Sequence, residues 1–360
     1  NHLKEKYPNQ IYIGVYAVKS FETFASIIGI IRAGKAFVPI SPKFPPAKLQ
    51  RIIEKSKIKT LIDLNSKITQ QQKHTVYPAV EILNSVSTFS PQGSKVQPIE
   101  DTKPAYLLFT SGTTGDPKGV SINRNQLKNY LINISKIIPL QSTNRCSQTF
   151  ELNFDLSIHD IFHTLIHGSS LFIPEENDLL SLGKYIQKNK ISHLFCVPSL
   201  IKIMDKLRQI KKENLLSIEA VIFCGEALTT ELVEKIQQAV SNSTKIINLY
   251  GPTESTIAVA YYIITNPVKN FNGIVSIGKI FKGNDVSFTA IENSAGLYEL
   301  TINGNQVISN YFGEENDASK FYTDINGLVW YKTGDLVRKD EEDLIYFAGR
   351  IDEQIKWNGH

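Results

Sequence analysis

The sequence is poor in the residues that mark secreted, metal-binding or membrane-spanning chains. Its 360 residues include three cysteines, one methionine and two tryptophans. The cysteines, Cys146, Cys196 and Cys224, lie 50 and 28 residues apart, which matches no metal-ligand spacing. So small and odd a count favours a reducing cytoplasm over an oxidising compartment. No apolar run reaches the roughly 18 residues that a membrane helix needs, and no signal peptide opens the chain. We therefore expect a cytoplasmic protein that has no membrane partner.

Excess charge of either sign is also missing. The chain carries 39 basic and 35 acidic residues, a net charge of +4, which is too small for its length to predict a nucleic-acid partner. A hydrophobic content of 42% and a charged content of 21% are typical of a globular protein. The length predicts two or three subdomains. Because Asn1 is not an initiator methionine and His360 ends the chain inside a motif, we expect this sequence to be part of a longer protein.

Strand and helix patterns alternate along the first two thirds of the chain. "IYIGVYAV" (11–18) is typical of a buried strand, "SFETFASIIGIIRAG" (20–34) of a capped amphipathic helix and "AFVPI" (36–40) of a second strand. Similar units recur as far as "KIINLY" (245–250). The pattern predicts an α/β fold in which helices cover mostly parallel sheets.

Beyond about residue 270 the pattern changes to short alternating strands separated by Gly, Asn and Asp, which predicts a distorted antiparallel β-barrel. We therefore predict paired α/β subdomains in residues 1–270, a barrel-like subdomain in 271–348 and a hinge in 349–360. The polar stretch 85–104 has the composition of a surface linker.

A loop rich in glycine and hydroxyl groups follows one of the predicted strands. "FTSGTTGDPKGV" (109–120) could cradle phosphate, since glycines let backbone N–H groups converge and the hydroxyls and lysine add donors. It is not a Walker loop, because Lys118 is followed by Gly119 and preceded by Pro117. A plain hairpin turn built on Gly, Asp and Pro is the alternative that composition leaves open.

Five motifs in this order resemble those of the adenylate-forming superfamily, which includes acyl-CoA synthetases, luciferases and the adenylation domains of peptide synthetases. The resemblance spans the whole chain and implies that a carboxylate attacks Mg·ATP to give an acyl-adenylate, whose acyl group a thiol then takes. It also implies a small C-terminal subdomain that is absent from this sequence. The motifs are "IIRAGKAFVPISP" (30–42), "FTSGTTGDPKGV" (109–120), "NLYGPTEST" (248–256), "YKTGDLV" (331–337) and "GRIDEQIKWNGH" (349–360).

The resemblance assigns nucleotide-binding roles to three groups of residues. Those expected to hold the β- and γ-phosphates of ATP are Thr110, Ser111, Gly112, Thr113, Thr114 and Lys118. Those expected at the α-phosphate and Mg²⁺ are Thr253 and Glu254, where a carboxylate oxygen beside phosphate suits a hard cation. Those expected around adenine and ribose are Gly225, Glu226, Asn248, Tyr250, Gly251, Asp335 and Arg350.

The residues leave two of these roles open. Tyr250 could be a core residue at a strand end, and Glu226 could be the acid at a helix N-terminus.

Asp352 matches the hinge about which the missing subdomain turns between the two half-reactions.

The segment "FDLSIHDIF" (154–162) resembles that of the amino-acid-activating members, in which the aspartate pairs with the substrate's α-ammonium group. Asp155 takes that place here, with helix capping as its alternative. The residues that would line a small, largely apolar side-chain pocket are Leu156, His159, Cys196, Ile222, Cys224, Leu249, Ile257 and Ala258. His159 could contact the substrate or form a satisfied wall, and we favour the wall. His163 and His167 have no third ligand nearby, so we interpret them as a surface pair.

The resemblance is strongest to stand-alone D-alanine–D-alanyl carrier protein ligases, and prolyl-carrier-protein ligases look similar. It implies a small amino acid as substrate, ATP and Mg²⁺ as cofactors, and a carrier protein bearing phosphopantetheine as partner. Two other interpretations stay open: an adenylation module of a larger peptide synthetase, and a non-catalytic nucleotide-binding relative. The presence of Lys118, Glu254 and Asp335 argues against the last.

Overall fold

The computed structural model describes residues 2–85, 99–111, 116–291, 296–314 and 317–351. Most of the predicted linker, part of the glycine-rich loop and the predicted hinge Asp352 lie outside these ranges. The chain divides into two compact units. Unit 1 contains Asn1–Lys128, Glu151–Asp155 and Asn310–Asp317, and unit 2 contains Asn129–Phe150, Leu156–Ser309 and Ala318–His360. The predicted boundaries at residues 270 and 348 remain predictions.

Unit 1 is built on a six-stranded sheet in the order β4-β3-β1-β2-β5-β6, in which every pairing is parallel except that of β5 with β6. Its strands are β1 (Tyr12–Tyr16), β2 (Ala36–Ile40), β3 (Thr60–Ile62), β4 (Glu81–Leu83), β5 (Pro104–Ser111) and β6 (Pro117–Asn123). Its helices are α1 (His2–Lys6), α2 (Phe21–Arg32), α3 (Pro46–Ser56) and α4 (Gln70–Thr75). Helix α5 (Arg124–Ile137) carries the chain into unit 2.

Local sequence explains the first βα unit. Ser20 caps α2, its Oγ accepting a hydrogen bond from the Thr23 N–H at 3.2 Å. The helix ends before Gly34, whose φ of +77° suits glycine. Strand β2 is buried at every position, as expected for a parallel strand covered on both faces.

Unit 2 contains a seven-stranded sheet in the order β15-β12-β11-β10-β9-β7-β8. Its strands are β7 (Arg145–Ser147), β8 (Ser170–Phe172), β9 (His193–Cys196), β10 (Ala220–Phe223), β11 (Lys245–Tyr250), β12 (Ala260–Ile263) and β15 (Lys279–Ile280), and β13 (Asn270–Phe271) pairs with β14 (Ile274–Val275). Pairings among β7–β11 are parallel, whereas β12 is antiparallel to both of its neighbours.

The helices of unit 2 include an unusual composite one. Here α6 (Leu156–Ile158) runs through a π-helical turn, His159–His163, into α7 (Thr164–Ile166). The remaining helices are α8 (Glu176–Leu180), α9 (Leu182–Asn189), α10 (Pro198–Lys206), α11 (Lys212–Leu215) and α12 (Thr230–Ala239). None of the helices in the described ranges is both long and apolar enough to cross a bilayer.

The second sheet of unit 2 is antiparallel. It consists of β16 (Asn284–Ala290), β17 (Tyr298–Gly304), β18 (Phe321–Thr323), β19 (Val329–Lys339) and β20 (Ile345–Arg350), with β19 paired to β17, β18 and β20. Register shifts interrupt β19 twice, which increases strand twist. The predicted fold class, mostly parallel helix-covered sheets with an antiparallel part after them, is confirmed.

Candidate functional site

The hairpin of β5 and β6 carries the glycine-rich loop of unit 1. Its strands stay paired up to the loop, with Thr110 opposite Lys118 and Ser111 opposite Pro117. The predicted phosphate contacts Gly112, Thr113 and Thr114 lie outside the described residues. The hairpin therefore sets the positions of Thr110 and Lys118 on facing strands at the two ends of the loop.

Lys118 is paired within unit 1. Its Nζ lies 2.5 Å from Oδ2 of Asp317 and 4.6 Å from the ring centroid of Tyr311, and the two charged side chains are only 22% and 16% exposed. The Phe312 N–H donates to the Gly119 carbonyl at 2.7 Å. A Cβ at Gly119 would lie 3.0 Å from that of Phe312, so a glycine after the lysine permits this close approach.

Unit 2 contains a cleft where strands β10 and β11 end, and we call it the adenosine cleft. Its floor includes Asn248, 3% exposed, whose side-chain N–H donates to the Ser276 carbonyl at 2.9 Å. Because that bond uses the amide nitrogen, the amide oxygen of Asn248 is the group that can accept a hydrogen bond from a ligand. The lining residues are Gly225, Glu226, Ala227, Leu228, Asn248, Leu249, Tyr250, Gly251, Ile274, Val275, Ile277 and Phe347.

Three residues predicted around adenine and ribose form one hydrogen-bonded network beside this cleft. Tyr250 Oη donates to Oδ2 of Asp335 at 2.5 Å, and Nη1 of Arg350 lies 2.7 Å from Oδ1 of the same carboxylate. Asp335 is 1% exposed. Burial, and then the charge of Asp335, raise the pKa of Tyr250 well above its usual range, so the phenol stays a donor. The carboxylate is thereby held in one orientation, as charge-assisted bonds hold it.

Glu226 contacts the N-terminus of helix α10. Its carboxylate accepts hydrogen bonds from the N–H and the hydroxyl of Ser199, both at 2.8 Å, in the first turn of α10. This is the helix N-terminal role that the sequence left open for Glu226. Gly225 has a φ of +90° and, with the rest of this turn, lines the adenosine cleft.

The turn that carries Glu254 has an unusual backbone. Thr253–Ser255 form a 3₁₀ turn, and Thr256 and Ile257 follow with φ values of 60° and 72°. A β-branched residue at positive φ is strained and persists only where its surroundings enforce it. Glu254 is 8% exposed, and its backbone carbonyl accepts from the Ile308 N–H at 2.9 Å.

Gln306, which is fully buried, enforces that backbone. Its side-chain N–H groups donate to the carbonyls of Ser255 at 3.3 Å and Ala258 at 2.8 Å. Its backbone carbonyl accepts a hydrogen bond from Thr256 Oγ1 at 2.6 Å. Side-chain amides of Asn133 and Asn284 donate to Oε1 of Gln306 at 3.3 and 3.1 Å. No sequence motif pointed to this glutamine, because its partners lie between 22 and 173 residues away along the chain.

Glu254 is a suitable Mg²⁺ ligand only if the phosphates of a bound ligand supply further oxygen atoms to the same ion. The described residues contain no cluster of three or more potential ligand side chains that could hold a metal ion. Mg²⁺ in nucleotide sites usually takes one or two carboxylates together with phosphate oxygens and water. Glu254 would hold that cation, which would neutralise phosphate charge, and Thr253 would contact the α-phosphate.

The predicted side-chain pocket residues of unit 2 are all buried, each at most 4% exposed: Leu156, His159, Cys196, Ile222, Cys224, Leu249, Ile257 and Ala258. Asp155, in unit 1, is 7% exposed. Within that unit, burial and then the charge of Asp155 raise the pKa of Tyr106 well above its usual range.

Cys196 lies on the face of the sheet opposite to that of Ile222. Strand register aligns Phe195 with Ile222 and Cys196 with Phe223, and adjacent residues of a strand point to opposite faces. Cys196 and Phe223 share one core cluster, whereas the Phe195 ring lies 4.3 Å from that of His159. Phe195 therefore lies on the face of Ile222 and His159, and the sequence interpretation was displaced by one residue here.

The interpretation of His163 as a surface residue was wrong. His163 is 2% exposed and His159 is 4% exposed, because the composite helix packs both against the sheet. His159 Nδ1 lies 2.7 Å from the Tyr130 hydroxyl, as expected for a satisfied wall residue. His167, one turn further on, is half-buried.

The sequence of this chain matches the pattern of one family, described as AMP-binding enzyme, over residues 2–312. The chain belongs to that family. Among curated relatives of this AMP-binding chain, gramicidin S synthase 1 of Brevibacillus brevis is 28% identical over 97% of the chain and 32% of its own length. Zwittermicin A synthase ZmaJ of Bacillus cereus is 30% identical over 96% of the chain and 68% of its own length. The chain thus spans about a third of the first of these relatives.

Solved structures agree with the family. The Vibrio cholerae adenylation domain AlmE, in complex with glycyl-adenosine-5'-phosphate, superposes with a TM-score of 0.83. It is 25% identical to the AMP-binding chain and covers 98% of it, while the chain covers 72% of the AlmE chain. The fold is therefore that of an adenylation domain core.

Proposed function

We propose that the protein activates a small amino acid with ATP as its aminoacyl-adenylate and transfers it to the phosphopantetheine thiol of a carrier protein. The observation that carries the nucleotide half is the hydrogen-bonded network of Tyr250, Asp335 and Arg350 beside Asn248 in the adenosine cleft. A rigid carboxylate suits the two ribose hydroxyls, and an oriented amide oxygen suits the adenine amino group. ATP is the nucleotide and Mg²⁺ its cation in this proposal.

The remaining predicted roles belong to the same proposal. Thr110, Lys118 and the loop between them would bind the β- and γ-phosphates. Asp155 would pair with the α-ammonium group, since burial strengthens such a contact. AlmE, whose structure contains a glycyl-adenylate, supports an amino acid as the acid. D-alanine is the substrate that the sequence favours.

An adenylation domain of a peptide synthetase is the second candidate, with proline or another amino acid as substrate. The observation that favours it is the match to gramicidin S synthase 1, which extends over 97% of this chain but only 32% of that much longer protein. Carrier protein and substrate are proposals in both cases.

Amino-acid-dependent ATP–pyrophosphate exchange by the full-length protein, with a panel of D- and L-amino acids, tests the proposal. We expect exchange with at least one small amino acid. Exchange with aryl or fatty acids only would overturn the role of Asp155. Full retention of amino acid selectivity by Asp155→Ala would do the same.

A further inference from the structure

A second, smaller cavity lies in unit 2 beneath the composite helix, and we call it the histidine cavity. Its volume is about 10 Å³, which holds about one water-sized group. His159 and Ile222 line it and are also predicted residues of the amino acid side-chain pocket. The full lining is Ile138, Leu140, Cys146, Ser147, His159, Asp160, His163, Thr164, His193, Phe195 and Ile222.

His163 lines this cavity and carries an unused acceptor. Its Nε2 is buried without a hydrogen-bond partner, while the ring makes a hydrogen bond to the Ile138 backbone. That bond therefore uses Nδ1, and because it favours the protonated ring, Nδ1 donates to the carbonyl. In a neutral ring with Nδ1 protonated, Nε2 carries a lone pair and can only accept.

The ring is neutral for a clear reason. Burial lowers the pKa of His163 to about 3, with smaller contributions from His167 and His193. Burial also lowers the pKa of His193 to about 4 and that of His159 well below its usual range.

We propose that the histidine cavity receives the side-chain hydroxyl or thiol of the amino acid substrate, which donates a hydrogen bond to Nε2 of His163. The cavity admits one heavy atom, which excludes a guanidinium, an amide or an imidazole. A buried acceptor without a donor is costly, so a substrate that supplies the donor gains over an apolar one of the same shape. This inference rests on the proposed function and moves its substrate class from alanine toward serine-, threonine- or cysteine-like amino acids.

The test compares isosteric substrates in pyrophosphate exchange by the full-length protein. Serine is paired with 2-aminobutyrate and threonine with valine, and cysteine is assayed beside them. We expect kcat/KM to be about tenfold higher for the hydroxyl-bearing member of the better pair. That substrate donates a hydrogen bond to Nε2, whereas its apolar partner leaves the buried acceptor without a donor. His163→Phe should reduce that ratio to about one, while His167→Phe, the same change one turn along the helix, should leave it unchanged.

Other outcomes decide against the inference. Robust exchange with ratios near one in the unaltered protein would mean that only water occupies the cavity, and would overturn it. So would a tenfold ratio that survives in His163→Phe. Should that variant not fold, His163→Leu removes the acceptor with a smaller apolar side chain and is judged by the same ratio. Absence of exchange with every amino acid would instead sink the proposed function.

Discussion

The adenosine cleft of unit 2 and the loop-bearing hairpin of unit 1 satisfy their polar groups in different ways. In the cleft, Asp335 is 1% exposed and its carboxylate is already oriented by Tyr250 and Arg350. In the hairpin, Lys118 is partly exposed and pairs with Asp317. A ligand would add to the first arrangement but would have to displace a carboxylate in the second. The carboxylate of the cleft is thus held in place before any ligand binds, whereas Lys118 of the hairpin would have to exchange one anion for another.

The largest expected effect concerns the support of the cleft. Gln306→Leu removes the donors for the Ser255 and Ala258 carbonyls, which stay buried. We expect the free energy of unfolding to fall by about 3 kcal/mol, the cost of two orphaned buried groups, as measured by urea denaturation.

Asn305→Leu is the control for that change, because Asn305 is the adjacent amide and is exposed. It should change stability by no more than about 0.5 kcal/mol. Equal stabilities for the two variants would mean that the strained turn at Thr256 and Ile257 holds without the glutamine.

Asp335→Asn tests preorganisation by its effect on binding. Losing the charge weakens the bonds that orient the side chain, so affinity for AMP and for ATP should fall alike, by about tenfold or more (about 1.4 kcal/mol). Isothermal titration with each nucleotide measures this. Asp340→Asn is the matched control, since Asp340 also accepts from a tyrosine hydroxyl, Tyr346 at 2.6 Å. A loss confined to ATP would contradict the proposed ribose contact.

Acid should weaken unit 2 through its buried histidines. The folded pKa values of His163 and His193, about 3 and 4, lie below the ordinary value near 6.5. Below about pH 6.5 the unfolded chain therefore takes up protons that the folded protein does not, and stability falls until pH approaches those values. Each histidine contributes a slope of up to about 1.4 kcal/mol per pH unit.

Denaturant titrations at pH 7, 6 and 5 measure that slope. In His163→Phe it should be shallower by about 1 kcal/mol per pH unit, because one fewer proton binds on unfolding. An unchanged slope would show that His163 takes up its proton over the same pH range in the folded and the unfolded protein.

The smallest expected effect belongs to the hairpin. Asp317→Asn frees Lys118 from a partly exposed ion pair worth about 0.7 kcal/mol, so ATP should bind about threefold more tightly. AMP, which lacks the β- and γ-phosphates, should bind as before. Asp116→Asn is the control, because Asp116 precedes strand β6 of the same hairpin but pairs with Lys55 of helix α3, at 2.6 Å. Weaker ATP binding by Asp317→Asn would mean that Asp317 positions the lysine instead of competing for it.

Local signals predicted much of the fold. Ser20 and Gly34 bound helix α2 because a hydroxyl cap and a positive-φ glycine act within one turn of chain. The change of pattern near residue 270 marked the antiparallel sheet because side chains alternate along each of its strands. The resemblance of the motifs singled out Asn248, Tyr250 and Asp335, and the structure brings the last two within hydrogen-bond distance.

Alternation within a strand was harder to assign. A one-residue displacement at Cys196 moved the predicted pocket position to the wrong face, and Phe195 occupies the face of Ile222. Glu226 was equally ambiguous, because an acid after a strand suits both a ligand and a helix terminus. Its bonds to Ser199 show the contact with the helix terminus, and its contact with a ligand stays a prediction.

The sequence alone determined the family, the α/β class and the motif residues of the proposed nucleotide site. These depend on short stretches whose chemistry is local. Tertiary structure alone decided that Asp317 pairs with Lys118, that Gln306 holds the turn of Glu254, and that His163 is buried. Each of these depends on segments far apart in the chain that packing brings within a few ångströms. Burial then sets the protonation of His163, which no spacing in the sequence could specify.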